Sequence, residues 1–436
     1  MTAQGFFALF YSQTEFFMLP IFFLRVSILS LLFIPLISLR ADDFPRVEHH
    51  DPIIVDPQLS LSALITLTLE NHPDTQWLNS LEAETAAIKQ RGESWTAGAT
   101  VAGLRYQEAT SGTLHYLDGT IEVPLWNIGQ RDANQRIGTA AQNSAITQTA
   151  LTQWRVAGLV RIAIWDIALQ ELRLEQAKID MHATQQLAND ITRRVQAGDL
   201  AQTDALLIQT DVLKKRSALT LAEAEVMHAR KRYTTLTQST KIPANYHESL
   251  SQIKEIESSH PALQAIQNLI ERKQAEVEAL HLVGSGQTNV TVGVNSDRPS
   301  HHDLRSNNTE SFNIGVTVPF GGQAHLQPQV AAMNVELNQL RAQRDQLFRD
   351  LEQNHHEAEH NLEINQAELA VASELNTVAQ QHLKLTQMSF LVGEIDLIDL
   401  LKIQSQTQLA ALAAKERALM QERDYAFYNQ AVGVLP

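Results

Sequence analysis

Two acid-bearing turns hold the residues best placed to do chemistry. Val195-Gln196-Ala197-Gly198-Asp199-Leu200 leads into Asp204-Ala205-Leu206-Leu207-Ile208-Gln209, and Leu391-Val392-Gly393-Glu394-Ile395 leads into Asp399-Leu400-Leu401-Lys402-Ile403-Gln404. Glycine is the residue best suited to end a helix in the left-handed conformation, so Gly198 and Gly393 predict two helix ends. Asp199, Glu394 and Asp396 then fall in the first turn of a following helix, where unpaired N–H groups and the helix dipole favour carboxylates. That role alone accounts for the acids. A second cluster, His355-His356-Glu357 with Glu359 and His360, sets His356 and His360 four apart on one helix face, close enough to share a metal ion. Two imidazoles make an incomplete site, because structural zinc takes about four ligands, and a solvated helix surface is the stronger explanation. The chain has no Gly-rich phosphate loop, no Gly-x-Ser-x-Gly elbow and no His-Glu-x-x-His pair. Neither catalysis nor a bound cofactor is expected.

The elements that must carry these turns come in two copies. Gly198 and Gly393, Asp204 and Asp399, and Gln209 and Gln404 are each separated by 195 residues. The same offset joins Pro124, in Glu122-Val123-Pro124-Leu125, to Pro319, in Thr317-Val318-Pro319-Phe320. Asn71-His72-Pro73 and Ser259-His260-Pro261, each opening a helical stretch, lie 188 apart, which places an insertion between the first two landmarks. One offset kept across distant landmarks predicts an internal duplication. Each copy reads as a helix starting near Ser60 or His260, a β-hairpin, then two long helices. Val290, Val292 and Val294 alternate with polar or small residues, as do Phe312, Ile314, Val316 and Val318, so these are strands with one apolar face. Asn295 to Ser311, carrying Pro299, His301, His302 and Asp303, reads as the polar loop between them. In the first copy, Ala97 to Tyr106 and Leu114 to Leu125 bracket a Ser111-Gly112 turn, with Tyr106 and Tyr116 expected at a membrane interface. Pro124 and Pro319 are expected at strand-to-helix junctions, since proline cannot donate to a sheet ladder.

The stretch from Arg131 to Gln196 predicts a rod about 100 Å long, and Gln323 to Leu391 a similar one. In the second rod Leu340, Leu351 and Leu362, and likewise Leu347, Ala358 and Leu369, recur every 11 residues. That period predicts nearly straight or slightly right-handed packing.

The formal charge of −15 comes with no long basic run, so nucleic acid is not an expected partner. The absence of cysteine excludes disulfides and an acylated N-terminal cysteine. Val26 to Leu39 is an uncharged run between Arg25 and Arg40, ending in Leu39-Arg40-Ala41 before Asp42. It is shorter than the roughly 20 apolar residues of a spanning helix, so a cleaved export signal is expected, with a retained signal anchor as the alternative and Met1 or Met18 as the start. The chain therefore divides into a signal at 1–41, an extended segment at 42–59, a first repeat at 60–240, a linker or equatorial segment at 241–258 and a second repeat at 259–436. After export, only a closed β-barrel would let such a chain cross a membrane. Four strands cannot close one, and an open edge in lipid would leave backbone groups unpaired, so the hairpins predict an oligomer.

With its Val-Pro-Leu and Val-Pro-Phe strand ends followed by Gly, and its Gly, spacer, Asp-Leu-Leu turns, the chain after Ser60 resembles the TolC-like outer-membrane efflux proteins. The resemblance implies a mainly α fold with inserted β: a coiled-coil helical barrel, and two hairpins per chain contributing to a trimeric transmembrane β-barrel. It implies a homotrimer in the outer membrane of a Gram-negative bacterium, extending into the periplasm. A periplasmic adaptor and an inner-membrane pump would be its partners. Asp399, with Asp396 and Asp204, would then ring the periplasmic mouth as a cation-attracting gate, against the simple capping role. Arg194, Gly198, Asp199, Gly393 and Glu394 would form the adaptor-contacting tips. The first turn keeps Arg194 but has Val195 where the family has an aromatic; the second has Phe390 but no Arg. The His356/His360 pair leaves heavy-metal cations open as cargo. A periplasmic coiled-coil scaffold and a trimeric surface adhesin remain the alternatives.

Overall fold

The computed structural model describes residues 52–108, 110, 114–299 and 308–436. The expected signal at 1–41, the Ser111-Gly112 turn, and His301, His302 and Asp303 lie outside the described residues. In chain order the elements are β1 (Ile54–Asp56), α1 (Leu61–Glu70), α2 (Thr75–Glu93), β2 (Val101–Glu108), β3 (Leu114–Leu125), α3 (Gln130–Gln196), α4 (Gln202–Thr237), β4 (Lys241–Pro243), α5 (Pro261–Val283), β5 (Thr288–Pro299), β6 (Thr309–Thr317), α6 (Gln323–Leu391) and α7 (Leu397–Ala431).

Local chemistry sets the boundaries. Ser60 caps α1, its Oγ accepting the Ala63 N–H at 3.1 Å. Pro261 opens α5, and His260 caps it by accepting the Ala262 N–H on Nδ1 at 3.2 Å. Pro124 lies one residue from the end of β3, not beyond it. Its carbonyl accepts from Ala97 N–H at 3.0 Å on the side where β2 has run out, so the missing proline N–H costs no ladder bond. Pro319 follows the end of β6 by two residues.

The strands differ from their expected extents. Residues 97–100 lie outside β2, whereas Asn295 to Pro299 extend β5, and Thr309 to Ser311 begin β6. The expected loop is shorter because its polar flanks continue the ladder: Asn295 pairs with Ser311 and Asp297 with Thr309.

Four elements lie side by side at three levels. The sheet order is β2-β3-β5-β6. Near it the helices pack as α2, α3, α5, α6, and towards the far end as α4, α3, α7, α6. At 67 and 69 residues, α3 and α6 are long enough to run through both helical levels. One edge is thus β2, α2 and α4; the other is β6 and α6.

The α6 seam corrects the predicted period. From Leu337 to Leu369 the residues withdrawn from solvent are Leu337, Leu340, Arg344, Leu347, Leu351, His355, Ala358, Leu362, Asn365 and Leu369. Their steps alternate three and four, with one doubled four at Leu347, Leu351 and His355. Both predicted series lie on this seam, but its basic period is seven with a single stutter, as expected for a helix packed first against α5, where Leu347 and Leu351 meet Leu263, and then against α7, where His355 and Asn365 reach Tyr428 and Asp424.

Where the two helical levels meet, Leu64, Ile65, Val156, Val160, Ile164, Tyr233 and Ile242 form a buried core, and β1 pairs in parallel with β4 beside it. Next to the core Arg161 is 1% exposed. Its guanidinium grips Glu248 with two bonds, Nε to Oε1 at 2.8 Å and Nη2 to Oε2 at 2.6 Å, and also donates to the Val434 carbonyl at 3.0 Å and to the Gln430 side chain. One side chain therefore ties α3, the 244–258 segment and the C-terminus together.

His260 is buried at the same level, and burial pushes its pKa down to about 4. The folded state thus disfavours the imidazolium, so the stability it contributes is present above about pH 6.5 and is lost as pH falls towards 4. An acid titration of unfolding should show this loss, and His260→Asn should remove one group from that limb.

Candidate functional site

The two turns share one backbone design. Gly198 has φ 83° and Gly393 φ 80°. Asp199 N–H donates to the Arg194 carbonyl at 2.9 Å, and Gly198 N–H to that of Val195 at 3.1 Å; Glu394 and Gly393 repeat this with Ser389 and Phe390 at 2.9 and 3.2 Å. Both helices therefore end in a Schellman motif, which uses carbonyls that would otherwise lack partners. A Cβ added at either glycine would meet nothing within 4 Å, so an alanine there is opposed by the backbone alone. Gly198→Ala and Gly393→Ala should each cost about 1–2 kcal/mol. The readout is hydrogen exchange at the turn amides, roughly 5- to 30-fold faster if local opening follows that cost.

The acids divide by role. Asp199 and Glu394 lie in the connecting turns, before the N-caps Ala201 and Asp396, and not in the first helical turn as expected. In the second turn Asp396 is the cap: its Oδ1 accepts the Asp399 N–H at 2.9 Å. The cap uses only the backbone of Asp399, whose side chain is exposed. In the first turn the N-cap is Ala201, which has no acceptor, and Asp204 reaches back to the Ala201 N–H at 3.2 Å. Asp204 is thus engaged in capping, whereas the Asp399 carboxylate lies outside the cap.

The turns are joined to each other. Ala188, Ile191 and Ile208 from the α3/α4 pair pack with Phe390, Leu397 and Leu400 from the α6/α7 pair in one buried cluster. Arg194 crosses this junction, its guanidinium carbon 5.1 Å from the centre of the Phe390 ring, within range of a cation–π contact. The arginine missing from one turn and the aromatic missing from the other are therefore complementary. Each turn read separately looks depleted; the two losses read together were the signal of this pairing.

The second feature is the four-stranded sheet. Residues paired across strands share a face, so the register sorts the side chains. One face carries Ala102, Leu104, Tyr106, Leu117, Ile121, Val123, Val290, Val292, Val294, Phe312, Ile314 and Val316. The other carries Arg105, Gln107, Tyr116, Asp118, Thr120, Glu122, Thr291, Asn295 and Asn313. The apolar face has no cover: Leu104 is 79% exposed, Phe312 69% and Ile314 68%. From Leu117 to Leu125 it spans about 26 Å along β3. Tyr116 falls on the polar face, so of the two expected interface tyrosines only Tyr106 lies on the apolar one. Its hydroxyl is 3.0 Å from Nδ1 of His115.

His356 and His360 stack with ring centres 6.1 Å apart on exposed α6 surface. Among the described residues, no group of three or more potential ligands is placed to hold a metal. His355 turns away into the seam, its Nε2 3.2 Å from the Tyr428 hydroxyl. Among the described residues no helix is long and apolar enough to cross a membrane.

No protein-family model matches the chain, and no curated protein matches it. Solved structures do. The outer-membrane channel OprN aligns with a TM-score of 0.67 at 13% identity, covering 90% of this chain and 97% of that one. The Campylobacter jejuni CmeC outer membrane channel aligns at 0.66 and 10% identity, covering 86% and 85%. The open state of the Neisseria gonorrhoeae MtrE outer membrane channel aligns at 0.63 and 13% identity, covering 88% and 91%. At these identities the likeness establishes the fold, and that fold is the TolC-like outer-membrane channel fold.

Proposed function

We propose that the chain is the outer-membrane channel subunit of a tripartite efflux system, a homotrimer carrying substrates from the periplasm to the outside. The observation that carries this reading is the open four-stranded sheet with one bare apolar face and one polar face, the pattern of a barrel wall between lipid and water. Three copies joined β6 to β2 would give twelve strands. Because α6 lies on the same edge as β6, and α2 and α4 on the same edge as β2, one head-to-tail contact would close all three levels. The matching turns and the common 195-residue offset favour an internal duplication. A periplasmic adaptor docking at the paired turns, and an inner-membrane pump supplying energy and most of the selectivity, complete the assembly. The histidine pair lends no weight to metal cargo.

Within this reading Asp399 is the gate residue. A trimer would bring three copies towards one axis, where like charges repel one another and attract cations. Asp396 already serves as the cap, which leaves the Asp399 carboxylate for the pore. Asp399→Ala should lower the cation selectivity of single channels and weaken block by divalent cations, while leaving thermal stability nearly unchanged. Unaltered selectivity and block would remove Asp399 from the gate.

A further inference from the structure

A groove of about 840 Å³ lies between α3, α6 and α7, and a second of about 410 Å³ continues it along α3 and α7, the two sharing Ile162, Arg423 and Phe427. Together they form a trough whose α3 wall runs from Trp154 to Leu169, about 22 Å of helix. Each volume falls within the range of small-molecule sites, roughly 300–1,000 Å³.

The trough is placed to stay open. Arg423 and Phe427 lie on the side of α7 turned away from Tyr428 and Asn429, and those two hold the 244–258 segment through Ile253, Ser249 and Ser251. Nothing from that segment fills it. Of its walls, α3 and α7 are the inner helices of their level, so closing a ring through the outer edges leaves the gap between them uncovered.

The ionisable groups lining it are Arg155, Glu357, Arg423, Asp424 and Asp166, of which Asp166 is held by Arg232 at 2.6 and 3.0 Å. Arg423 is already bound to Asp424 Oδ1 at 2.9 and 3.1 Å and lies over the Phe427 ring. Glu357, on the α6 side, accepts from Gln353 at 2.9 Å. Arg155, on the α3 side, makes no hydrogen bond or ion pair among the described residues. An always-charged guanidinium without a partner, at the lip of a long apolar trough, is complementary to a molecule with an apolar body and one anionic head. Glu357 would repel that head from the opposite lip.

We propose that this trough binds an amphipathic anion, its chain laid between α3 and α7 along Ile162 and Phe427 and its carboxylate on Arg155. The site is separate from the acidic turns and does not depend on conduction. The test is equilibrium dialysis of radiolabelled laurate against the purified full chain held in a non-ionic amphipol, which carries no carboxylate to compete for Arg155, with that amphipol alone as the blank. Saturable binding of one laurate per chain is expected. Arg155→Ala should weaken it about tenfold or more, the effect of losing one charge-assisted hydrogen bond, and Arg155→Lys should restore most of it. Ile162→Glu, which adds an anion at an exposed position, should abolish binding while circular dichroism stays unchanged. Uncharged dodecanol should bind without regard to Arg155. No saturable laurate binding, or binding indifferent to both Arg155→Ala and Ile162→Glu, would overturn the proposal.

Discussion

Arg161→Ala is expected to destabilise the protein by about 3–5 kcal/mol, the cost of removing one partner of a buried ion pair. The size follows from what stays behind. Glu248 would keep its burial but lose both guanidinium bonds, retaining only the weaker Asn429 Nδ2 contact at 3.2 Å. The Val434 carbonyl and the Gln430 side chain would each lose a donor as well. Because this guanidinium joins α3 to the 244–258 segment and the C-terminus, the damage should concentrate there. Hydrogen exchange should show amides 244–258 opening first, with the paired turns little affected. Arg161→Lys should recover only part of the loss, since one ammonium cannot reproduce a two-bond grip on a carboxylate. A substitution that changed thermal stability by less than about 1 kcal/mol would mean the pair is worth no more than an exposed one.

Ile314→Arg should cost about 2–4 kcal/mol of membrane assembly, the penalty for a cation at mid-depth on a lipid-facing strand. Its neighbour supplies the control. Asn313 precedes it on the same strand and points to the polar face, where it bonds with Asn295 across the strand pair. Asn313→Arg should therefore allow assembly and shift ion selectivity towards anions. The measurement is the yield of heat-modifiable oligomer in outer-membrane fractions, followed by conductance of whatever assembles. If the two variants assembled equally well, the apolar face would not be facing lipid.

Much of the fold is legible from residue pattern because its long elements obey simple rules. Gly198 and Gly393 end helices for a reason local to one residue, and the ends of α3 and α6 fall within a residue of the prediction. The strands are harder. Asn295 and Asp297 look like loop residues because a barrel-like wall needs polar side chains on one of its faces, and alternation at a polar strand end has no apolar partner to reveal it. Tyr116 misleads for the same reason: tyrosine suits an interface, but only the register shows which face it takes. The α6 period is legible in part, since Leu340, Leu351 and Leu362 do share the seam, yet the same seam also passes through Arg344, His355 and Asn365, which hydrophobicity overlooks. The Arg194–Phe390 contact lies beyond any local pattern, because it depends on two turns 195 residues apart in sequence meeting in space. The division of labour between Asp396 and Asp399 depends on hydrogen bonds that charge counting does not distinguish.

The measurement that tests the central claim most directly is planar-bilayer conductance of the purified protein, paired with its native mass in detergent. The account predicts a trimer that gives small, cation-selective currents. A water-soluble monomer with no conductance would contradict it and put a periplasmic coiled-coil scaffold in its place.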